Sequence, residues 1–166
     1  MKYVSMFIST FLFISLVQAA DPKVTAFVTL WPAGSFQVTS SKLKGDVVKK
    51  NGQFSADKIS VTVESLKSGI DLRDEHMWKH LNPTQNNPRI TLSEIKSVSA
   101  NKGKGTLEIN GVKAPINFDY VTKGDVVEAE FEIKTSQFKL AKAEYKGVGV
   151  KEDIKVKVTM PFGNQK

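Results

Sequence analysis

The chain has 166 residues, 40% hydrophobic and 25% charged, with 24 Lys and Arg against 17 Asp and Glu, a formal net charge of +7 and no cysteine. That length suits one domain able to bury about two-thirds of its unfolded surface, and the lack of cysteine excludes disulfides and thiol nucleophiles. Arg73 and Arg89 are the only arginines, and no recognition motif accompanies the lysines, so the positive excess reads as a solvated surface or an attraction for anionic headgroups, not as a nucleic-acid site.

Lys2 precedes an apolar run from Met6 to Val17, and the small residues of Val17-Gln18-Ala19 suit signal peptidase. As a helix the run would reach roughly 18 Å at about 1.5 Å per residue, short of the ~30 Å hydrocarbon core. Residues 1–19 are therefore predicted to be a signal peptide cleaved after Ala19, leaving a domain over residues 20–166. Cleavage removes one basic residue, Lys2, and no acidic one, so the mature chain stays positive.

From Lys23 to Met160 the sequence alternates with a period of two, broken by turn signals. In EAEFEIK, Ala129, Phe131 and Ile133 share one face while Glu128, Glu130, Glu132 and Lys134 share the other. The same division sets Ile154, Val156, Val158 and Met160 apart from Lys155 and Lys157, and Ile59, Val61 and Val63 apart from Thr62 and Glu64. Asn51-Gly52 and Asn110-Gly111 predict tight two-residue hairpins, and Lys123-Gly124-Asp125 a third turn. Strands are expected near 23–31, 35–48, 52–64, 88–99, 104–110, 112–122, 125–138 and 145–160. Eight strands paired in order predict an all-β, antiparallel up-and-down barrel, with a two-layer sandwich as the structural alternative.

One helix interrupts the strands at about 72–81, between the third and fourth. Asp71 is placed to cap it, Asp74 and Glu75 put negative charge in its first turn, and Lys79 and His80 suit its C-terminal end. Met77 and Leu81, four apart, are expected to pack against the barrel, with Trp78 beside them capping the interior or lying on the surface.

The inward positions read from the alternation are Phe27, Phe36, Val38 and Leu43 in the first two strands, then Val61 and Val63. Ile90, Leu92, Leu107 and Ile109 follow, then Ile116, Phe118 and Tyr120. Phe131, Ile133, Val148, Val150, Val156 and Val158 complete the set. A barrel of this size either fills itself with side chains or holds one elongated ligand. No Trp lies among these positions, and Gly147 and Gly149 leave places where a filled barrel would want bulk.

Three segments in order, SGIDLRDEHMWKHL with NNPRITL, GTLEINGVKAPINF, and FKLAKAEYKGVGVKEDIKVKVTM, resemble the YceI-like family of polyisoprenoid-binding, lipocalin-like bacterial periplasmic proteins. The likeness covers essentially the whole mature chain. It implies an eight-stranded barrel in the periplasm, closed near one end and holding a long-chain isoprenoid or another amphiphilic lipid in its lumen. Together with the positive charge, this leads us to expect a monomer or weak homodimer that sequesters or carries such a lipid, or an isoprenoid quinone, and touches membrane surfaces transiently. It further implies that the inward residues named above line the lumen and that there is no catalysis and no cofactor. The polar helix would then be the gate and headgroup site, with Arg73, His76, Met77, Trp78 and Lys79 as its candidates. The chain departs from the family's pattern in a shorter first hairpin, Trp31 to Gly45, and in Trp78.

The rival reading is a metal-binding protein or metal-assisted enzyme built on His76 and His80. They are four apart on the helix, so both imidazoles could face one ion, with Asp71 or Asp74 nearby. Yet Met77-Trp78-Lys79 follow His76, no glutamate stands where the zinc hydrolase motif needs its base, and there is no third histidine. The sequence also carries no Gly-x-Ser-x-Gly elbow and no phosphate-binding glycine loop.

Overall fold

A computed structural model describes residues 20–145 and 147–163; the predicted signal peptide, 1–19, lies outside the described residues. Among the described residues, eleven strands form one curled antiparallel sheet with a single α-helix. Five strands form the back of the barrel: β4 (Gln53–Thr62), β5 (Arg89–Ser99), β6 (Lys102–Ile109), β7 (Val112–Lys123) and β8 (Val126–Lys134). Each of the first four pairs with the next along the chain, and β8 pairs with the last strand of the sequence. The hairpins fall where the glycines predict: Asn51, Gly52, Asn110 and Gly111 all have positive φ, as two-residue turns of the primed type require.

The difference from eight strands lies in two predicted strands that break. The expected strand 35–48 becomes β2 (Ser35–Ser40), which pairs with β1 (Lys23–Trp31), and β3 (Val48–Lys50), which pairs with β4. Between them the Ser40 hydroxyl takes the Lys42 amide at 3.1 Å and meets the Ser65 hydroxyl at 2.8 Å, so side chains replace ladder bonds and turn the chain. Gly45 follows at φ 138°, where a Cβ would run into the Lys58 carbonyl. Thus one broken strand bridges both sides of the curled sheet, aided by the Lys44–Ser60 bridge.

The expected strand 145–160 becomes β9 (Glu144–Tyr145), β10 (Val148–Val150) and β11 (Asp153–Pro161). Pairing to β1 runs from Lys23 opposite Thr159 to Phe27 opposite Lys155, and resumes with Leu30 opposite Val150. Two extra residues, Lys151 and Glu152, are accommodated at the bend, where the Lys151 amide donates to the Thr29 carbonyl.

The helix α1 (Asp71–Leu81) lies between β4 and β5, one residue longer at its start than predicted. No helix among the described residues is long and apolar enough to cross a membrane. On the outer face of β8 and β11, Lys157 reaches Glu128 and Glu130 at 3.3 and 3.2 Å, and Lys123 reaches Glu128 at 2.9 Å. The alternating glutamates are the wet side of the sheet.

Packing divides the interior in two. At the end holding the 51–52, 100–101 and 124–125 turns, Phe54 meets Tyr120 edge-on with centroids 4.6 Å apart and Phe118 at 6.2 Å. Gly103 makes room for the Phe118 ring, which would collide with any Cβ there. Tyr120 donates its buried hydroxyl to the Ser99 carbonyl at 2.8 Å. Ala56, Ile95, Ile116, Val127 and Met160 complete this filled end. Glu94, at φ 54°, is a bulge in β5 that shifts the inward face from Leu92 to Ile95 and so joins the two halves.

Candidate functional site

The other end is hollow. A cavity of about 1210 Å³ opens there, walled by aliphatic side chains from β1, β2, β4, β5, β6, β8, β10 and β11 and covered on one side by α1. Of the residues read as inward from the sequence, Phe36, Val38, Leu43, Val61, Ile90 and Leu92 line it. So do Leu107, Ile109, Phe131, Ile133, Val148, Val150, Val156 and Val158.

Five residues expected to line the lumen do not line the cavity. Phe27 points outward and is 41% exposed. Residues directly opposite in an antiparallel pair share a face, and Val156 and Val158 stand opposite Ala26 and Val24. The β1 residues in the wall are therefore Val24, Ala26, Val28 and Leu30. Ile116, Phe118 and Tyr120 do face inward, but they are buried in the filled end and do not line the cavity. Val63 follows β4 as the first residue of a 3₁₀ turn, Val63–Ser65, and borders a small cleft outside the barrel. Of the two glycines expected to leave room, Gly149 lies in the cavity wall whereas Gly147 occupies a turn at φ 79°.

The helix carries part of the polar wall. Arg73, His76, Met77, His80 and Leu81 recur at i, i+3, i+4, i+7 and i+8, and all five line the cavity. Trp78 does not belong to this gate. It projects from the opposite face, donates Nε1–H to the Leu66 carbonyl at 2.9 Å and lies under the Lys67 ammonium, 4.1 Å from the ring centroid. Lys79 likewise borders the outer cleft, not the cavity.

Asp74 holds the helix in place. It is 1% exposed, and Oδ1 accepts the Ser68 amide at 2.7 Å and the Ser68 hydroxyl at 2.5 Å. This corrects the expectation that Asp71 caps the helix: Ile70 occupies the N-cap with no side-chain bond, and Asp71 is the first helical residue. Burial by itself would raise the Asp74 carboxyl, but the Ser68 hydrogen bonds, then the charges of Lys67 and Arg73, overcome that and hold it below its ordinary value. Arg73 donates Nε–H to the Ser68 hydroxyl at 2.8 Å and Nη2–H to its carbonyl at 2.9 Å, and its guanidinium stacks 4.1 Å from the Phe36 centroid. The only cation on the cavity face of the helix is thus fixed by two hydrogen bonds and an aromatic ring.

His80 is half-buried in the wall, and desolvation lowers its pKa, favouring the neutral imidazole. His76 lies one turn before it along the same wall. Among the described residues no group of three or more His, Cys, Asp or Glu side chains is placed to hold a metal ion.

These features define a lipocalin-like barrel, half packed and half open, with a polar helix over the opening. A family model described as the YceI-like domain matches residues 17–162, and the chain belongs to that family. Among solved structures it is similar to Burkholderia cenocepacia BcnA, at 20% identity and a TM-score of 0.65, with 83% of this chain and 94% of that one covered. A polyisoprenoid binding domain from Saccharophagus degradans, implicated in plant cell wall breakdown, is 14% identical with a TM-score of 0.58, covering 85% and 92%. The Campylobacter jejuni YCEI protein is 18% identical with a TM-score of 0.59, both chains being covered in full. No curated protein matches the chain.

Proposed function

We propose that the protein binds a long-chain isoprenoid, an isoprenoid quinone or a similar amphiphile, with its apolar tail in the hollow half of the barrel and its polar end beneath α1. The observation that carries this reading is the cavity itself, about 1210 Å³ and walled almost throughout by aliphatic carbon. That exceeds the roughly 300–1,000 Å³ that suits a drug-sized ligand. The Saccharophagus degradans relative, named as a polyisoprenoid binding domain, supports the same chemical class.

Magnitudes assign the roles. Burying a dozen methylenes at about 0.8 kcal/mol each contributes roughly 10 kcal/mol before ordering costs, whereas one charge-assisted headgroup contact adds about 1.5–3 kcal/mol. The tail supplies affinity and the helix supplies choice. Arg73, His76 and His80 offer N–H donors to phosphate or carbonyl oxygens, and Met77 and Leu81 meet the first carbons of the tail. Nothing in this scheme is a reaction: the protein is a binding module that acts by sequestration or carriage.

The chain is exported to the periplasm with residues 1–19 removed, and it works there as a monomer or weak homodimer. Native mass spectrometry of periplasmic protein tests both parts of the reading. The expected spectrum shows the chain starting at Ala20 with a lipid adduct that organic extraction removes. A fully unliganded population that also ignores added isoprenoids and fatty amphiphiles overturns it.

A further inference from the structure

Half of the large apolar side chains exposed among the described residues gather at the cavity mouth. Trp31 is 64% exposed, Leu72 63%, Ile70 55% and Val148 42%, and all four also border the cavity. The remaining ones, Phe27, Val48, Val98 and Val121, come from four different strands and do not border it. Trp31 ends β1 and stands opposite Gly149, next to Val148 in β10, while Ile70 and Leu72 flank the first residue of α1. Two banks from distant parts of the chain therefore present apolar groups at one opening.

Charge selects what covers them. Lys142 and Lys151 stand in the mouth wall with Arg73, against Glu144 and Glu152; Lys142 lies 3.5 Å from Glu144. Asp71 stands exposed between Ile70 and Leu72, so the charges at the mouth balance and the positive excess belongs to the chain as a whole, at a net +7. Two such chains repel one another, which disfavours a second copy, whereas an anionic surface attracts the chain as a whole. Tryptophan suits the boundary between lipid and water, and lysine can bury its stem there with its ammonium at the phosphates.

We propose that this mouth is a membrane-docking face: Trp31, Ile70, Leu72 and Val148 enter the interface of an anionic phospholipid bilayer while Lys142 and Lys151 meet its phosphates. The docked mouth is continuous with acyl chains, so an apolar ligand passes between bilayer and cavity without crossing water. Only that last step rests on the function proposed above.

The test uses the chain beginning at Ala20, which contains every described element of the fold, with Trp78→Phe so that Trp31 alone fluoresces. On vesicles of phosphatidylglycerol and phosphatidylethanolamine, Trp31 emission shifts to the blue and is quenched by acyl-brominated lipid. Cosedimentation falls at least tenfold for Trp31→Ser with Leu72→Ser, and the parent binds pure phosphatidylcholine vesicles more weakly. Docking is overturned if Trp31 emission stays unmoved, if the double variant sediments like its parent, or if phosphatidylcholine serves equally well. Parallel titration of the parent with a detergent-dispersed isoprenoid separates the two readings: isoprenoid binding without vesicle binding removes docking alone, and vesicle binding without isoprenoid binding removes the cavity reading alone.

Discussion

The filled and hollow ends of the barrel share β4, β5, β6, β8 and β11 with the same alternation, yet one interlocks and the other encloses space. At the filled end Phe54, Phe118 and Tyr120 are long enough to meet across the interior, and Gly103 yields its side-chain volume to one of them. At the hollow end the wall is chiefly Val, Ala, Leu and Ile, which stop short of the opposite strand. Of its aromatic exceptions, Trp31 is exposed at the mouth and Phe36 is stacked beneath Arg73. Side-chain length, not inward direction, separates a core from a cavity.

The sharpest way to break this comparison is to truncate one phenylalanine in each half. Phe118→Ala should cost about 3–5 kcal/mol in urea unfolding, because it empties a space its neighbours cannot refill. Phe131→Ala, whose ring already borders empty volume, should cost less than about 2 kcal/mol in the same measurement. Equal costs would mean that the two ends are packed alike. Next in size is Asp74→Ala, which leaves the Ser68 amide and hydroxyl without their carboxylate. Hydrogen bonds to a charged group are worth about 1.5–3 kcal/mol, so a loss of about 2–3 kcal/mol is expected for docking of the helix. Hydrogen exchange should localise it, with amides of residues 68–81 losing protection while 103–120 keep theirs.

Acid offers the same test without mutation. The folded Asp74 carboxyl sits below its ordinary value of 3.8. Its stabilisation is therefore complete above that value and disappears as pH falls through the lower folded value. Asp74→Ala should flatten the acid side of the stability profile.

The mirror image of truncation is enlargement. Phe118→Trp should overpack the filled end and cost about 1–3 kcal/mol. Phe131→Trp should change stability by less than about 0.5 kcal/mol while weakening isoprenoid binding, because the added ring occupies ligand space. Thermal unfolding of the empty proteins and a ligand titration check the two halves of the statement.

Much of the architecture was legible because the signals are local. Asn-Gly pairs demand left-handed backbone, and both deliver it; the helix lies within one residue of its predicted start. What could not be seen depends on partners far away. Alternation says that Phe118 and Phe131 both point inward, but not that one finds Phe54 and the other finds space. Phe27 faces outward because Val156 and Val158 stand opposite the even-numbered residues of β1, a pairing that alternation within β1 alone does not reveal. The bulge at Glu94 and the turn at Ser40 each need a tertiary arrangement to form, so a period of two ran straight through them. For Trp78, the helical spacing held the answer: residues 73, 76, 77, 80 and 81 make one face, and 78 lies off it.

The smallest expected effect concerns His80, where the polar helix meets the hollow wall. Desolvation favours its neutral form, placing the folded pKa below the ordinary 6.5. As pH falls, the unfolded chain takes up this proton first, so the stabilisation is complete above 6.5 and declines as pH drops toward the folded value. One proton sets a ceiling of about 1.4 kcal/mol per pH unit, and a half-buried imidazole that water still reaches falls well short of it. His80→Gln, which keeps a polar group of similar reach, should remove this component and leave a flatter stability curve between pH 7 and 5. A ligand tail filling the cavity displaces water from around the ring, so the wild-type slope should steepen when the isoprenoid is bound and the His80→Gln slope should not. Equal slopes with and without ligand would place the tail away from the helix, and with it the headgroup.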